Sequence, residues 1–135
     1  MYKNIIKKIK NISFEKKIFL KKSKILLMGY TFKENCSDIR NSKVFDLIFK
    51  LNELNLIIEI YDPLVDFDQI KNLSNYKNFN QFENINSKYD AIIVTVAHDY
   101  FIKIDLKNIM RLFKPKRIIF DLKRVFPSKF SNLKL

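Results

Sequence analysis

Residues 24–63 read KILLMGYTFKENCSDIRNSKVFDLIFKLNELNLIIEIYDP and contain a strand, a helix and a second strand in that order. Residues 24–30 are nearly all apolar, which is typical of a parallel strand covered on both faces. Residues 42–54 have apolar side chains at helical spacing, namely Val44, Leu47, Ile48, Leu51 and Leu54. Residues 56–61 form a second apolar run that is ended by Asp62 and Pro63, because proline cannot donate to a sheet ladder. This order predicts a βαβ unit with parallel strands.

The rest of the chain continues the same alternation. Residues 89–97 are apolar and rich in β-branched side chains, and they predict a central strand. Residues 105–113 predict a short helix that is stopped by Lys114 and Pro115, and residues 117–120 predict a fourth strand. Residues 66–88 are polar and rich in Asn, with one helical turn predicted around residues 67–73. We therefore expect an α/β, Rossmann-like fold with a doubly wound, mainly parallel sheet flanked by helices.

An amphipathic helix is predicted at the N-terminus, over about residues 2–20. Ile5, Ile9 and Ile12 fall on one helical face, and lysines surround them. This apolar stripe must pack on the domain itself or on a partner subunit, or else the basic helix lies on a membrane. The expected division is an N-terminal helical tail over residues 1–22 and one domain over residues 23–135.

Composition limits the possible classes of protein. With 135 residues, of which 47% are hydrophobic, the chain can bury one modest core. Its apolar runs are much shorter than the roughly 20 residues of a membrane-spanning helix. The N-terminus has no secretory pattern, so a cytoplasmic location is expected. One cysteine, Cys36, cannot form an internal disulfide, which is consistent with a reducing compartment.

The formal charge of +12 raises the question of an anionic partner. Clustered Lys and Arg side chains bind nucleic acids and anionic membranes. No basic stripe interleaved with aromatic stacking residues is present, and the chain is rich in Lys, Asn, Ile and Phe together. We therefore expect neither nucleic acid nor membrane as a partner, although the phosphates of a nucleotide would still be attracted to this surface.

A polar loop over residues 31–42 follows the first predicted strand and leads into a helix N-terminus, where anions bind. It contains Lys33 and Arg40, which could each hold a phosphate or a carboxylate; the alternative is that both are merely solvated charges. Gly29 is the one glycine of the chain, which excludes the G-x-G-x-x-G dinucleotide fingerprint. An independent NAD-binding domain is therefore not expected.

Four blocks point to a known family: GYTFKENCSDIRNSK, IYDP, YDAIIVTVAHDYF and IIFDLKRV. Together, in this order and spacing, they resemble the C-terminal UDP-binding domain of the UDP-glucose and GDP-mannose dehydrogenase family. The form ENC-DIRN is most similar to the branch that acts on UDP-N-acetylhexosamines. The resemblance implies an enzyme that oxidises the C6 hydroxyl of a UDP-sugar to a carboxylate, using NAD and a cysteine-bound intermediate, for polysaccharide precursor synthesis.

The resemblance also implies roles for individual residues. Phe32 and Lys33 match the family's pair that contacts the UDP-sugar, and Lys123 matches a cation near the substrate. Arg40 matches the arginine that reaches NAD in the assembled enzyme. No catalytic residue is implied here, because Cys36 matches a loop cysteine and not the nucleophile.

Two further polar residues are expected to have structural roles. Asp38 is expected to brace Arg40 or to cap the helix that follows. His98, at the end of a predicted strand, is expected to be a satisfied packing residue.

The family's NAD-binding domain, its cysteine nucleophile and its catalytic lysine and aspartate have no match in this chain. The resemblance thus implies a chain that is inactive alone, binds NAD only within an assembled enzyme, and has its catalytic partner on a separate chain or lacks it. Homo-oligomers are possible, and no metal is implied. The alternative is a stand-alone nucleotide-binding or scaffold module without catalysis.

Overall fold

A computed structural model gives the architecture of the chain. It describes residues 3–15, 22–31, 33–39, 43–70, 73, 75–123 and 125–126. The helices are α1 (Lys3–Glu15), α2 (Val44–Asn52), α3 (Asp99–Ile102) and α4 (Leu106–Met110). In this described part of the chain, none of the helices is both long and apolar enough to cross a bilayer.

The strands form one parallel sheet. They are β1 (Lys24–Met28), β2 (Ile57–Tyr61), β3 (Lys77–Phe79), β4 (Tyr89–Val94) and β5 (Phe113–Asp121). Their order across the sheet is β3-β2-β1-β4-β5, and every neighbouring pair is parallel. The order reverses between β1 and β4, as in a doubly wound fold. The predicted Rossmann-like fold class is confirmed.

Several boundaries differ from the sequence-based predictions. β3 was not predicted, and neither was α3. Residues 105–113 were predicted as a helix, but α4 ends at Met110 and Phe113 already begins β5. The expected turn at residues 67–73 is a 3-10 helix over Phe67–Gln69.

The position of Pro115 within β5 has a physical explanation. Pro115 was interpreted as a stop signal, yet it lies within β5. β5 is an edge strand, and its pairing with β4 is irregular between Phe113 and Ile118. Proline is tolerated at edges and irregularities, where its missing N–H is not needed by a neighbour.

Two apolar clusters cover the sheet. One contains α2 residues and the α1 side chains Ile5 and Ile9, both almost completely buried. The other contains Phe101 of α3 and Ile109 of α4. The apolar stripe of α1 therefore packs on the domain itself, which decides between the alternatives for this helix.

Candidate functional site

The loops after β1, β2, β4 and β5 meet at the carboxyl edge of the sheet, where doubly wound folds bind their ligands. This edge contains an unusual concentration of buried polar side chains, namely Thr31, Asp62, Thr95, His98 and Asp121. Buried polar groups need hydrogen-bond partners. Their partners here are mainly backbone groups of the same loops, and His98 also contacts the Asp62 and Thr31 side chains.

Gly29 lets the chain leave β1 in close contact with Val96, which lies just after β4. Its φ is +111°, a conformation that favours glycine. An added Cβ would lie 2.8 Å from Cβ of Val96. The Gly29 N–H donates to the carbonyl of Tyr61 (2.9 Å), and the Thr95 hydroxyl donates to the Gly29 carbonyl (2.6 Å). The start of the β1 loop is thus fixed between β2 and the chain after β4.

Asp62, directly after β2, organises the start of the same loop. It is fully buried. Its Oδ2 accepts from the N–H groups of Tyr30 (2.7 Å) and Thr31 (3.3 Å), and its Oδ1 accepts from Leu64 N–H (2.9 Å). One carboxylate therefore joins the β1 and β2 loops.

His98, after β4, holds the β1 loop at Asn35. Its ring is fully buried, and Nδ1 lies 2.9 Å from the backbone nitrogen of Asn35. A backbone N–H can only donate, so Nδ1 accepts and the hydrogen of the neutral ring is on Nε2. Nε2 lies 2.9 Å from Oδ2 of Asp62 and 3.2 Å from the hydroxyl of Thr31. The prediction that His98 is a satisfied packing residue is confirmed, and its contacts show that it also joins three loops.

Asn35 completes this network from the loop side. Its φ of +57° is left-handed, which asparagine tolerates better than most residues. Its Oδ1 accepts from Asp99 N–H (2.9 Å) at the first residue of α3. Between these anchors lies Lys33, whose carbonyl accepts from the Thr31 hydroxyl (2.9 Å) and whose side chain is exposed. The loop holds this lysine by its backbone and leaves its side chain available.

Lys123 lies in the turn after β5 and is exposed. Asp121 holds this turn, because its two carboxylate oxygens accept from the N–H groups of Val125 (2.9 Å) and Phe126 (2.7 Å). β4 separates β1 from β5, so the two strand ends are two strand spacings apart, about 10 Å. Lys33 and Lys123 therefore lie at the same edge of the sheet.

The other predicted site residues, Phe32 and Arg40, lie outside the described residues, so their roles stay predictions. The bracing of Arg40 by Asp38 stays a prediction for the same reason. Cys36 is partly exposed, and its Sγ accepts from Asp38 N–H at 3.4 Å. Within the described ranges, no three His, Cys, Asp or Glu side chains are arranged to hold a metal ion.

Sequence reasoning missed the roles of Asp62, Asn35 and Asp121. Asp62 was interpreted only as the end of a strand. The available signal was positional: each aspartate is the last residue of a strand or follows one directly, where backbone N–H groups need acceptors. Which N–H groups each carboxylate would meet depends on strand order, which the sequence does not state.

The chain resembles known proteins in both sequence and fold. Residues 26–128 match the UDP binding domain of the UDP-glucose/GDP-mannose dehydrogenase family. The UDP-N-acetyl-D-glucosamine 6-dehydrogenase of Salmonella typhi is 36% identical over 121 residues, which are 90% of this chain and 28% of that protein. The Pseudomonas aeruginosa protein of the same name is 32% identical over 131 residues, 97% of this chain and 31% of that protein.

A solved structure described as a UDP-D-ManNAc dehydrogenase from Pyrococcus horikoshii has the same fold. It superposes with a TM-score of 0.72 at 17% identity, over 93% of this chain and 27% of that one. The chain thus spans less than a third of the length of the proteins that it matches.

Proposed function

The chain belongs to the UDP-glucose/GDP-mannose dehydrogenase family, and we propose that its residues 23–135 bind the UDP part of a UDP-sugar at the carboxyl edge of the sheet. The observation that supports this most directly is the β1 loop. Its backbone is tied to two fully buried side chains, Asp62 and His98, while Lys33 between the anchors is exposed. A rigid loop that presents a cation fits the recognition of an anion.

The remaining binding groups follow from the same proposal. Lys33 acts as a point charge toward the pyrophosphate, and Phe32 packs against the UDP-sugar. Lys123 follows β5, whose end is two strand positions from that of β1, and supplies a second positive charge near the substrate. The formal charge of +12 favours the approach of such a ligand from a distance.

The sugar is proposed from the form of the loop and from the names of the relatives. Residues 34–41 contain the ENC-DIRN form, and two relatives are named UDP-N-acetyl-D-glucosamine 6-dehydrogenase. We assign a UDP-N-acetylhexosamine as ligand, in an enzyme that oxidises C6 to the uronate for polysaccharide precursors. We also propose a cytoplasmic location, and we propose that residues 1–22 correspond to part of the central helical dimerisation region that precedes the UDP-binding domain in the family.

NAD does not fit this chain alone. Gly29 is its one glycine, so the chain lacks the glycine-rich loop that holds the pyrophosphate of a dinucleotide in Rossmann domains. We propose that the NAD-binding and catalytic groups lie outside these 135 residues. Those groups would supply hydride transfer, and Arg40 would reach NAD from this domain in the assembled enzyme.

Calorimetric titration with UDP tests the binding proposal. Lys33→Ala is expected to weaken UDP binding by about 1.5–3 kcal/mol, because a charge-assisted contact to phosphate is lost. The matched control is Lys88→Ala, which removes an equal charge from an exposed lysine just before β4, at the opposite edge. Equal affinities of the two variants for UDP would contradict the role assigned to Lys33.

Absorbance of NADH tests the proposal that the NAD-binding and catalytic groups lie outside these 135 residues. The purified chain with NAD and a UDP-N-acetylhexosamine is expected to produce no NADH, because no catalytic cysteine or dinucleotide loop is matched here. Production of NADH by this chain alone would overturn that part of the proposal while leaving UDP binding untouched.

A further inference from the structure

We propose that His98 is the positioning residue of the nucleotide-binding loop, acting as a fixed hydrogen-bond acceptor that holds the loop backbone at Asn35. This inference rests on the proposed UDP binding and names the group that makes the loop competent for it. His98 does not touch the ligand in this proposal. It acts through Asn35, and through Asp62 on the other side of its ring.

The geometry gives His98 a special place among the loop contacts. Asp62 holds the loop at Thr31 and His98 holds it at Asn35, and the two side chains are joined by the 2.9 Å contact between Nε2 and Oδ2. Both side chains are fully buried. The anchors therefore form one unit that holds the described loop backbone at Thr31 and at Asn35.

The imidazole ring suits this position for a chemical reason. It presents a donor and an acceptor in fixed, diverging directions within one rigid ring plane, and the Nδ1 and Nε2 contacts use both. An edge contact with Phe101, 5.2 Å between ring centroids, further fixes the plane. A flexible amide side chain has its donor and acceptor on one carbon and cannot span both partners equally well.

Loss of the Nδ1 acceptor should free the loop backbone at Asn35. Asn35 N–H would then lack its buried partner, and the loop would populate other conformations. Apparent affinity falls in proportion to the fraction of molecules in the binding-competent conformation. A purely structural role of His98 would instead lower stability without changing the affinity of the folded chain for UDP.

The test compares UDP affinities of the full chain by calorimetry. His98→Gln, which places a donor toward Asp62 but lacks the Nδ1 acceptor, is expected to bind UDP roughly tenfold more weakly. His98→Asn, whose amide oxygen can occupy the place of Nδ1, is expected to stay within about threefold of the wild type. Equal affinities of both variants and the wild type would overturn the inference.

Tyr89→Phe is the matched control for stability. The Tyr89 hydroxyl donates to the buried Glu59 Oε1 (2.7 Å), and Tyr89 is the first residue of β4, at the far end from the loop. Loss of the Tyr89 hydroxyl also removes a buried hydrogen bond, but it should leave the affinity for UDP unchanged. A loss of affinity in Tyr89→Phe as large as that in His98→Gln would also overturn the inference, because destabilisation alone would then explain the loss.

A second measurement uses only the wild-type chain without ligand and needs no variant to fold. The Asn35 amide is expected to exchange slowly with solvent, and the ring nitrogens of His98 are expected to give NMR shifts with hydrogen on Nε2. Fast exchange of the Asn35 amide, or a hydrogen on Nδ1 of His98, would overturn the inference. Failure of the wild type to bind UDP would overturn the proposed function and the inference with it, whereas wild-type binding with unaltered His98→Gln affinity would overturn the inference alone.

Discussion

At the scale of single residues, Gly29 has the strictest requirement. Gly29→Ala is expected to lower the free energy of unfolding by about 3 kcal/mol, because alanine meets a positive φ and a crowded Val96 together. Urea unfolding measures this loss.

Asn55→Ala is the matched control for the dihedral cost. Asn55 has a φ of +59° and lies in the turn between α2 and β2. Its replacement should cost about 1 kcal/mol, the price of a left-handed alanine. If Gly29→Ala lowers the free energy of unfolding no more than Asn55→Ala does, the close approach to Val96 adds no cost of its own.

His98 and Asp62 show how far single residues can be interpreted from sequence. A lone histidine at the end of a strand was predicted to be satisfied by packing, and its contacts confirm this. The same pattern could not identify Asp62 or Asn35 as its partners, since they are 36 and 63 residues away along the chain. Contacts of this range arise only after the strands are ordered in the sheet.

At the scale of elements, α1 gives a clear expectation. Ile9 is 1% exposed in the main apolar cluster, whereas Phe14 on the same helix is 86% exposed. Ile9→Ala should therefore cost about 2–5 kcal/mol of unfolding free energy, and Phe14→Ala close to none. Urea midpoints of both variants measure the difference.

A small effect of Ile9→Ala would mean that α1 is not packed on this domain in solution. Its apolar stripe would then be available to a partner subunit or to a membrane. A large effect would extend the folded unit to the N-terminal helix, beyond the expected boundary at residue 23.

The elements that sequence reasoning missed share a cause. β3 has three residues and α3 has four, and such short segments have little periodicity of their own. β3 is stabilised by pairing with β2, and α3 by the Asn35 side chain that accepts from its first N–H. Both depend on neighbours distant in sequence.

At the scale of the whole molecule, stability should fall at alkaline pH. Burial, with smaller contributions from Glu83, Asp62 and Tyr100, raises the pKa of Tyr61 from 10.0 to about 12. Burial and then the hydrogen bond to Glu59 raise the pKa of Tyr89 as well. The folded state thus favours the neutral phenols. Their contribution to the free energy of unfolding is complete below about pH 10 and is lost as the pH rises toward the folded-state pKa values.

Urea unfolding at a series of alkaline pH values measures this loss. Tyr61→Phe should show a shallower fall than the wild type between about pH 10 and pH 12, because it removes one group whose neutral form the fold favours. Identical slopes for the two proteins would show that Tyr61 ionises in the folded state as easily as in the unfolded one.

The sequence alone determined the fold class, the family and the loop to examine, because local apolar periodicity and adjacent motif blocks are properties of neighbouring residues. The tertiary structure alone decided that α1 packs on this domain, that β5 begins at Phe113, and that Asp62, His98 and Asn35 meet. These outcomes depend on which strands become neighbours and on which buried polar groups then find partners. Such partners are distant along the chain, so no local pattern encodes them.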